Sequence, residues 1–285
     1  MHACLVVDNR EFVKNPAWKA VRDGLEFDGH IVSVVSQKYK LTRTLPNVAF
    51  VWNGAKNRLR QIVDDFRGAG VRTFILERGF FHRMRYTQID DTGFNHTASW
   101  CGKNVALPKG ARNRLFRVLG QHPVPVVARD GYILVLCQVN RDAQLADSDV
   151  QRAEELAAMV VDAVPVGTRV VIRPHPLHPF SHVLEIDGSL ADVVRDAAFV
   201  VTINSNAGNE ALAMGRNVLA FGPSLYTTAG VALQTTRDSL AADIRRMLDG
   251  WTATKVEPYL QLLACRQWNA AEIREGSVLR QLLEN

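Results

Sequence analysis

The sequence predicts an α/β protein built from two Rossmann-like domains that face a cleft. Two observations predict this fold class: short β-branched runs alternate with helical patterns, and the alternation occurs in two separate series. A third observation divides the series, because a segment rich in proline and glycine, Leu107–Asp130, lies between them. We therefore expect a domain boundary near residue 128, with an N-terminal domain of residues 1–128 and a C-terminal domain of residues 129–285.

The first series predicts a parallel sheet covered by helices. Its β-branched runs predict strands at Ala3–Val7, Ile31–Val35, Val48–Val51 and Thr73–Leu76. The last strand follows an amphipathic stretch, Asn57–Arg67, whose apolar spacing is helical.

The second series repeats the pattern and ends in a tail, Pro258–Leu283, that is also predicted to be helical. Its predicted strands are Tyr132–Cys137, Thr168–Arg173, Phe199–Ile203 and Asn217–Phe221. Its predicted helices are Val150–Ala163, Ser189–Ala197, Asn209–Met214 and Leu240–Leu248. Ligands of such sheets bind beyond the carboxyl ends of the strands, so the residues that follow each strand are the candidates for function.

Composition and charge favour a soluble cytoplasmic protein with an anionic partner. No apolar run approaches the roughly 20 residues of a membrane span, no signal peptide is evident, and the four cysteines are far apart. Residues 1–128 hold 20 Lys/Arg and 10 Asp/Glu, whereas residues 129–285 hold 14 and 19. The ten extra basic residues of the N-terminal half fit a partner such as nucleic acid, a phosphorylated glycan or an anionic membrane. The alternative is a basic surface that is only solvated.

The stretch 200–222 carries the first candidate ligand site. A predicted strand ends at Asn204, and a small polar turn then opens a helix whose first turn contains Glu210. Free backbone N–H groups at such a turn favour a phosphate, and Glu210 suits ribose hydroxyls. A capped helix explains the same residues without a ligand. The candidate donor ligands of this stretch are Asn204, Ser205, Asn206, Gly208 and Glu210.

Arg173 and His175 carry the second candidate site, at the end of another predicted strand. Pro174 and Pro176 restrict the backbone around His175, which suits an aimed contact to a phosphate whose charge Arg173 neutralises. The nearby His178 and His182 raise the question of a metal, but the prolines prevent a helical three-His face and no carboxylate or cysteine cluster adjoins them. We expect no metal and no cofactor.

Two further strand ends carry candidate carboxylates. Gln138 ends one strand and is followed by Asp142 and Gln144. Gln138 and Gln144 are candidate donor ligands, and Asp142 fits a base or a nucleophile, or else a solvated loop residue. Glu77 ends a strand of the other domain. Interleaved arginines and aromatic residues follow Glu77, which suits stacking on a sugar or base, or a core beside a basic rim.

Taken in order, these segments resemble the capsular polysaccharide synthesis family that includes the bacterial Kdo transferases. The matching pieces span residues 50–230: Trp52-Asn53-Gly54 with Lys56, Leu76-Glu77-Arg78-Gly79-Phe80, Ile89 to Gly93, Gln138 to Gln144, Arg173 to Pro176, and Asn204 to Leu212. The resemblance implies a GT-B-like glycosyltransferase with a nucleotide-sugar donor, CMP-Kdo by default. It also implies that His175 and the Ser205 turn contact the donor phosphate, and that Asp142 and Glu77 are the catalytic carboxylates.

Departures from the family lie in the half that faces the acceptor. The chain is compact, and it has Glu77-Arg78-Gly79 where the transferases have Glu-Asp-Gly, and Phe94-Asn95-His96 in place of a tyrosine-rich stretch. The candidate acceptor-side residues are Asn53, Lys56, Arg78, Asn95 and His96. The acceptor therefore stays open between a glycan, a lipid-linked glycan and, as in phage enzymes, hydroxymethylated DNA. A sugar-nucleotide epimerase or a non-catalytic binder is the remaining alternative.

Overall fold

A computed structural model describes residues 1–40, 44–54, 57–140, 142–181 and 184–284. The chain forms two compact units. The first unit contains Met1–Trp100 together with Cys265–Asn285, and the second contains Cys101–Ala264.

The described strands of the first unit, numbered along the chain, are β1 His2–Val6, β2 Ile31–Val35, β3 Val48–Trp52, β4 Arg72–Arg78, β5 Tyr86–Asp90 and β11 Trp268–Asn269. They form one sheet with the order β11-β5-β4-β3-β1-β2. Strands β1 to β4 are parallel, β5 is antiparallel to β4, and β11 is antiparallel to β5. The helices of this unit are α1 Asn9–Lys14, α2 Pro16–Phe27, α3 Asn57–Gly68, α11 Ala270–Arg274 and α12 Ser277–Glu284, with a 3₁₀ turn at Asn95–Thr97.

Helix α2 has a capped start and an apolar face that packs into the core of the first unit. Pro16 occupies the first turn, where its missing N–H costs nothing, and the Asn15 side chain accepts a hydrogen bond from the Ala17 N–H at 3.1 Å. Its apolar face, which includes Trp18, Val21 and Leu25, is buried in the core beside β1 and β3. The C-terminal helices α11 and α12 complete the same core through Ile273 and Leu279, which are both fully buried in it.

In the second unit, the strands among the described residues are β6 Tyr132–Leu136, β7 Val170–Arg173, β8 Ala197–Thr202, β9 Asn217–Ala220 and β10 Leu233–Gln234. They form one parallel sheet with the order β10-β9-β8-β6-β7. The helices of this unit are α4 Ala111–Leu119, α5 Ala153–Ala163, α6 Leu190–Arg195, α7 Ala207–Ala213, α8 Leu225–Thr228, α9 Leu240–Leu248 and α10 Val256–Cys265, with a 3₁₀ turn at Ala143–Leu145. Buried β-branched residues line the strands, and α5 and α9 cover one face.

The division of the chain differs from the predicted boundary at residue 128 in two ways. The Pro/Gly-rich segment contains helix α4, and it joins the second unit through contacts such as the Arg114 side chain, which donates to the Ala264 carbonyl at 3.0 Å. The tail is not continuously helical: β11 interrupts it and pairs with β5, which returns the last residues to the first unit.

This division also reduces the charge asymmetry. The first unit carries 18 Lys/Arg and 13 Asp/Glu, and the second carries 16 of each. The basic surplus of the first unit is therefore five rather than ten charges, because Lys103, Lys109 and the three arginines of α4 belong to the second unit.

Candidate functional site

The candidate site of the second unit is the carboxyl edge of its parallel sheet. Leu136 at the end of β6 pairs with Arg173 of β7 on one side and with Thr202 of β8 on the other. The segments that follow these three strands therefore start side by side. Since β7 and β8 lie on opposite sides of β6, the chain reverses its direction of winding between β6 and β8, and such a reversal leaves a crevice where ligands of α/β sheets bind.

Gln138 and Asn204 link the segments that follow β6 and β8. The Gln138 Nε2 donates to Asn204 Oδ1 at 3.0 Å, and the Asn204 backbone N–H donates to Gln138 Oε1 at 2.8 Å. Asn204 Nδ2 also donates to the Gln144 carbonyl at 2.5 Å. Asn204 is 0% exposed and Gln138 is 7% exposed, so these contacts fix the shape of the edge, while direct contact of either side chain with a donor stays a prediction.

Asp142 lies in the turn that follows β6. Its Oδ1 accepts a hydrogen bond from the Gln144 N–H at 3.1 Å, and its carbonyl accepts one from the Leu145 N–H at 3.0 Å. The carboxylate thus starts the 3₁₀ turn, and it is partly exposed. Gln144 is held through its backbone on both sides, by Asp142 and by Asn204.

His175 lies in a tight turn directly after β7. The Leu177 N–H donates to His175 Nδ1 at 3.1 Å, and the His178 N–H donates to the His175 carbonyl at 2.8 Å. An imidazole that accepts through Nδ1 carries its proton on Nε2, so the ring presents Nε2–H as a donor. Arg173 is partly buried, and its guanidinium donates to the Gly188 carbonyl at 3.2 Å.

The Ser205 turn connects β8 to α7. Ser205 Oγ accepts the Ala207 N–H at 3.2 Å, so the serine rather than the Asn206 side chain caps the helix. Asn206 Oδ1 instead accepts the side-chain amide of Asn209 at 3.2 Å. Glu210 is partly exposed in the first turn of α7.

A buried tyrosine supports this turn from behind. The Tyr226 hydroxyl donates to the Ser205 carbonyl at 3.1 Å, and burial raises the pKa of Tyr226 above its ordinary value, which keeps the hydroxyl protonated. A Cβ on Gly208 would lie 2.8 Å from the Tyr226 ring, so only glycine fits there. The sequence carries no local signal for this contact, because Tyr226 follows the turn by a whole strand and loop.

In the first unit, Asn53, Glu77 and Arg78 come together at the carboxyl ends of β3 and β4. Asn53 has a φ of 63° and its Nδ2 donates to Glu77 Oε2 at 2.7 Å, while the Arg78 N–H donates to Glu77 Oε1 at 2.8 Å. Glu77 is 7% exposed and Arg78 is exposed. Lys56, the other acceptor-side candidate of this turn, lies outside the described residues.

Asn95 and His96 form a separate turn after β5, and both are partly exposed. Asp90 organises that turn: its Oδ1 accepts the N–H groups of Thr92, Gly93 and Ser99 at 2.9 to 3.0 Å. The aromatic residues that follow Glu77 are core residues and are not available for stacking on a ligand: Phe80, Phe81, Tyr86, Phe94 and Trp100 are all buried.

Among the residues that the structure describes, no group of three or more His, Cys, Asp or Glu side chains is arranged to hold a metal ion. None of the helices in the same ranges has both the length and the apolar character to cross a bilayer.

Comparisons with known proteins support the family resemblance. The model of a family described as capsule polysaccharide biosynthesis protein matches residues 178–250. Protein FixF of Sinorhizobium fredii is 28% identical over 194 residues, which cover 58% of this chain and 46% of that protein, so the chain spans about half the length of this relative.

Two solved structures share the fold. Thermosulfurimonas dismutans KpsC, beta Kdo 2,4 transferase, has a TM-score of 0.61 at 18% identity, with 93% of this chain and 90% of that chain covered. The beta Kdo 2,7 transferase of the same KpsC has a TM-score of 0.58 at 15% identity, with 99% and 100% covered. The matches confirm the predicted resemblance to the capsular polysaccharide synthesis family and the GT-B-like α/β fold class.

Proposed function

We propose that this protein is a metal-independent glycosyltransferase that binds a nucleotide-sugar donor at the carboxyl edge of its second unit. The observation that carries the proposal is the convergence of three predicted donor segments, those of Gln138, His175 and Ser205, on adjacent strand ends of one parallel sheet. The reversal of winding between β6 and β8 leaves the crevice that such a ligand needs.

Arg173 and His175 are the groups that suit the donor phosphate. A guanidinium and an imidazole Nε2–H both donate hydrogen bonds to phosphate oxygens, and both stabilise the negative charge that remains on the nucleotide when the sugar leaves. Ser205 and the backbone of its turn add neutral donors on the neighbouring strand, and Glu210 offers acceptors for ribose hydroxyls.

Asp142 and Glu77 remain the proposed catalytic carboxylates, one in each unit. Glycosyl transfer needs a base for the acceptor hydroxyl and negative charge near the anomeric carbon, where positive charge develops. We assign Asp142 to the donor side and Glu77 to the acceptor side. Glu77 fits a base because its carboxylate is held in one orientation by hydrogen bonds from the Asn53 side chain and the Arg78 N–H.

The donor is proposed to be a CMP-linked Kdo-like sugar and the acceptor a cell-surface glycan. The support is the family match together with the fold shared with two structures that are named as Kdo transferases. The main argument for a DNA acceptor is the basic charge of the N-terminal half. This argument is weakened, because the first unit has a surplus of only five basic residues. The predicted acceptor-side residues are unchanged: Asn53, Lys56, Arg78, Asn95 and His96.

Nucleotide binding tests the donor site. We expect one nucleotide among CMP, UDP, GDP and TDP to raise the melting temperature of the wild-type protein, because a ligand that binds only the folded state stabilises it by mass action. His175→Ala should weaken this binding about tenfold or more, since a charge-assisted hydrogen bond typically contributes about 1.5–3 kcal/mol.

The control is His122→Ala, which removes an exposed imidazole that follows α4 and contacts the Phe116 ring. Equal nucleotide affinity in His175→Ala and wild type would remove His175 from the site. Hydrolysis of the donor without transfer to any glycan would favour the epimerase or binding-protein alternative.

Metal independence is tested by chelation. Transfer activity should be unchanged after dialysis against EDTA, because arginine and histidine rather than a divalent cation are proposed to neutralise the phosphates. Activity that disappears with EDTA and returns with Mn²⁺ or Mg²⁺ would contradict this part of the proposal.

A further inference from the structure

Three polar side chains form a hydrogen-bonded cluster beside the His175 turn. Asn140 follows β6, Glu154 lies in the first turn of α5, and His178 comes three residues after His175. His178 Nε2 lies 3.0 Å from Glu154 Oε1 and 2.8 Å from Asn140 Nδ2. Asn140 Nδ2 also donates to Glu154 Oε2 at 2.9 Å, so each member of the cluster contacts the other two.

Asn140 ties the cluster to the start of α5. Its Oδ1 accepts the Ala153 N–H at 2.8 Å, which satisfies one of the free N–H groups at the beginning of that helix. This contact explains why the helix begins at Ala153 rather than at the predicted Val150. The hydrogen bond from Asn140 and the nearby imidazole of His178 lower the pKa of the Glu154 carboxyl, so Glu154 is ionised at neutral pH.

The tip of the His175 turn is exposed to solvent. Leu177, at its tip, is 82% exposed, and Pro176 and Pro179 are exposed as well. Apolar packing therefore does not fix the tip. The His178 backbone N–H donates to the His175 carbonyl and so closes the turn. The His178 side chain forms a hydrogen bond with Glu154 of α5.

We propose that Asn140, Glu154 and His178 are positioning residues that attach the His175 turn to α5 and so aim the His175 Nε2–H at the donor phosphate. The proposal rests on the proposed function, because it gives the cluster a role in donor binding. None of the three residues is proposed to touch the donor or to take part in the chemistry. Their effect passes through His175.

Nucleotide affinity in the full chain gives the first test. We expect His178→Ala and Glu154→Gln to weaken binding of the nucleotide found in the melting screen by about tenfold, since small misplacements of an aimed group are costly. His178→Gln should restore part of the affinity, because its amide nitrogen reaches close to the position of the imidazole Nε2. Glu155→Gln is the matched control: Glu155 lies in the same helical turn but pairs with Arg237.

A double-mutant comparison separates positioning from a general structural effect. His175→Ala combined with His178→Ala should bind the nucleotide as His175→Ala alone does, because the second residue acts only through the first. If His178→Ala weakens binding by the same factor in both backgrounds, the positioning proposal is overturned. Denaturant unfolding of each variant shows whether it is folded, and Glu154→Gln and His178→Gln replace His178→Ala if that variant does not fold.

The ring nitrogens of His175 provide a readout that needs no donor. In ¹⁵N spectra of the wild type, His175 should show an unprotonated Nδ1 and a protonated Nε2. His178→Ala should shift this pattern toward a mixture of tautomers, and Glu155→Gln should leave it unchanged. An unchanged spectrum in His178→Ala would overturn the proposal. If His175→Ala binds nucleotide normally, the proposed donor site fails, whereas the spectrum still reports whether the cluster holds the turn.

Discussion

At the scale of single residues, the side chains of the candidate donor edge form two layers. The polar atoms of the inner layer hydrogen-bond within the protein, and the side chains of the outer layer are exposed enough to contact a ligand. Asn204 and Gln138 use their polar atoms on each other and on the adjoining turns, and both are buried. Arg173, His175, Ser205 and Glu210 are all partly exposed at the same edge. The inner pair fixes where the outer groups start, and the outer groups carry the proposed chemistry.

The two carboxylates give the sharpest prediction at this scale. Asp142→Asn and Glu77→Gln keep the size of each side chain and remove its charge. Each should lower the transfer rate at least about a hundredfold, the usual contribution of acid–base catalysis, and leave nucleotide affinity within about twofold. Rates of sugar transfer and nucleotide titrations of both variants check this.

Asp147→Asn is a suitable control, because it changes a carboxylate on the same loop. Transfer at the wild-type rate in Asp142→Asn or in Glu77→Gln would remove that residue from the reaction.

At the scale of the elements, helices α2 and α11 of the first unit approach each other closely at Gly24. A Cβ on Gly24 would lie 2.6 Å from the Ile273 carbonyl oxygen and 3.0 Å from Leu279 Cδ1. Backbone cannot move as easily as the end of a side chain, so the two helices pack at this distance only with glycine on α2.

Gly24→Ala should therefore destabilise the protein by about 1–3 kcal/mol, although alanine is the better helix former. Gly68→Ala is the matched control, because nothing lies within 4 Å of a Cβ at Gly68, the last residue of α3. That variant should be neutral or more stable by up to about 1 kcal/mol. Urea unfolding of both variants gives the comparison; similar midpoints would contradict the close packing of α2 and α11.

The sequence predicts most parallel strands well, because each is a short β-branched run between turn signals. Strand β2 has the predicted bounds, and β1, β3, β6 and β9 differ from prediction by one residue at one or both ends. Strand β5 was not predicted, since Tyr86–Asp90 reads as a mixed aromatic and polar stretch whose pairing with β4 depends on tertiary contacts. Strand β11 and the contact between Glu154 and His178 are likewise absent from the sequence prediction, because both depend on pairing between residues distant in sequence.

At the scale of the whole molecule, the chain returns to its first unit at the end. Residues 265–285 supply β11 at the edge of the first sheet and two helices to its core. Sequence patterns give no sign of this return, because it depends on pairing between β5 and β11. In the second unit, the carboxyl ends of the parallel strands hold the predicted donor-side residues. In the first unit, the carboxyl ends of β3 and β4 hold Asn53, Glu77 and Arg78, whereas Asn95 and His96 follow the antiparallel strand β5.

The nucleotide of the donor is proposed to bind at the carboxyl ends of β6, β7 and β8 in the second unit. Hydrogen–deuterium exchange with and without the stabilising nucleotide tests this position, because a bound ligand slows exchange of the backbone it covers. We predict protection in the segments 137–144, 173–178 and 203–210. Protection confined to other segments, such as the opposite edge of the same sheet around Gly131 and Arg169, would contradict the account.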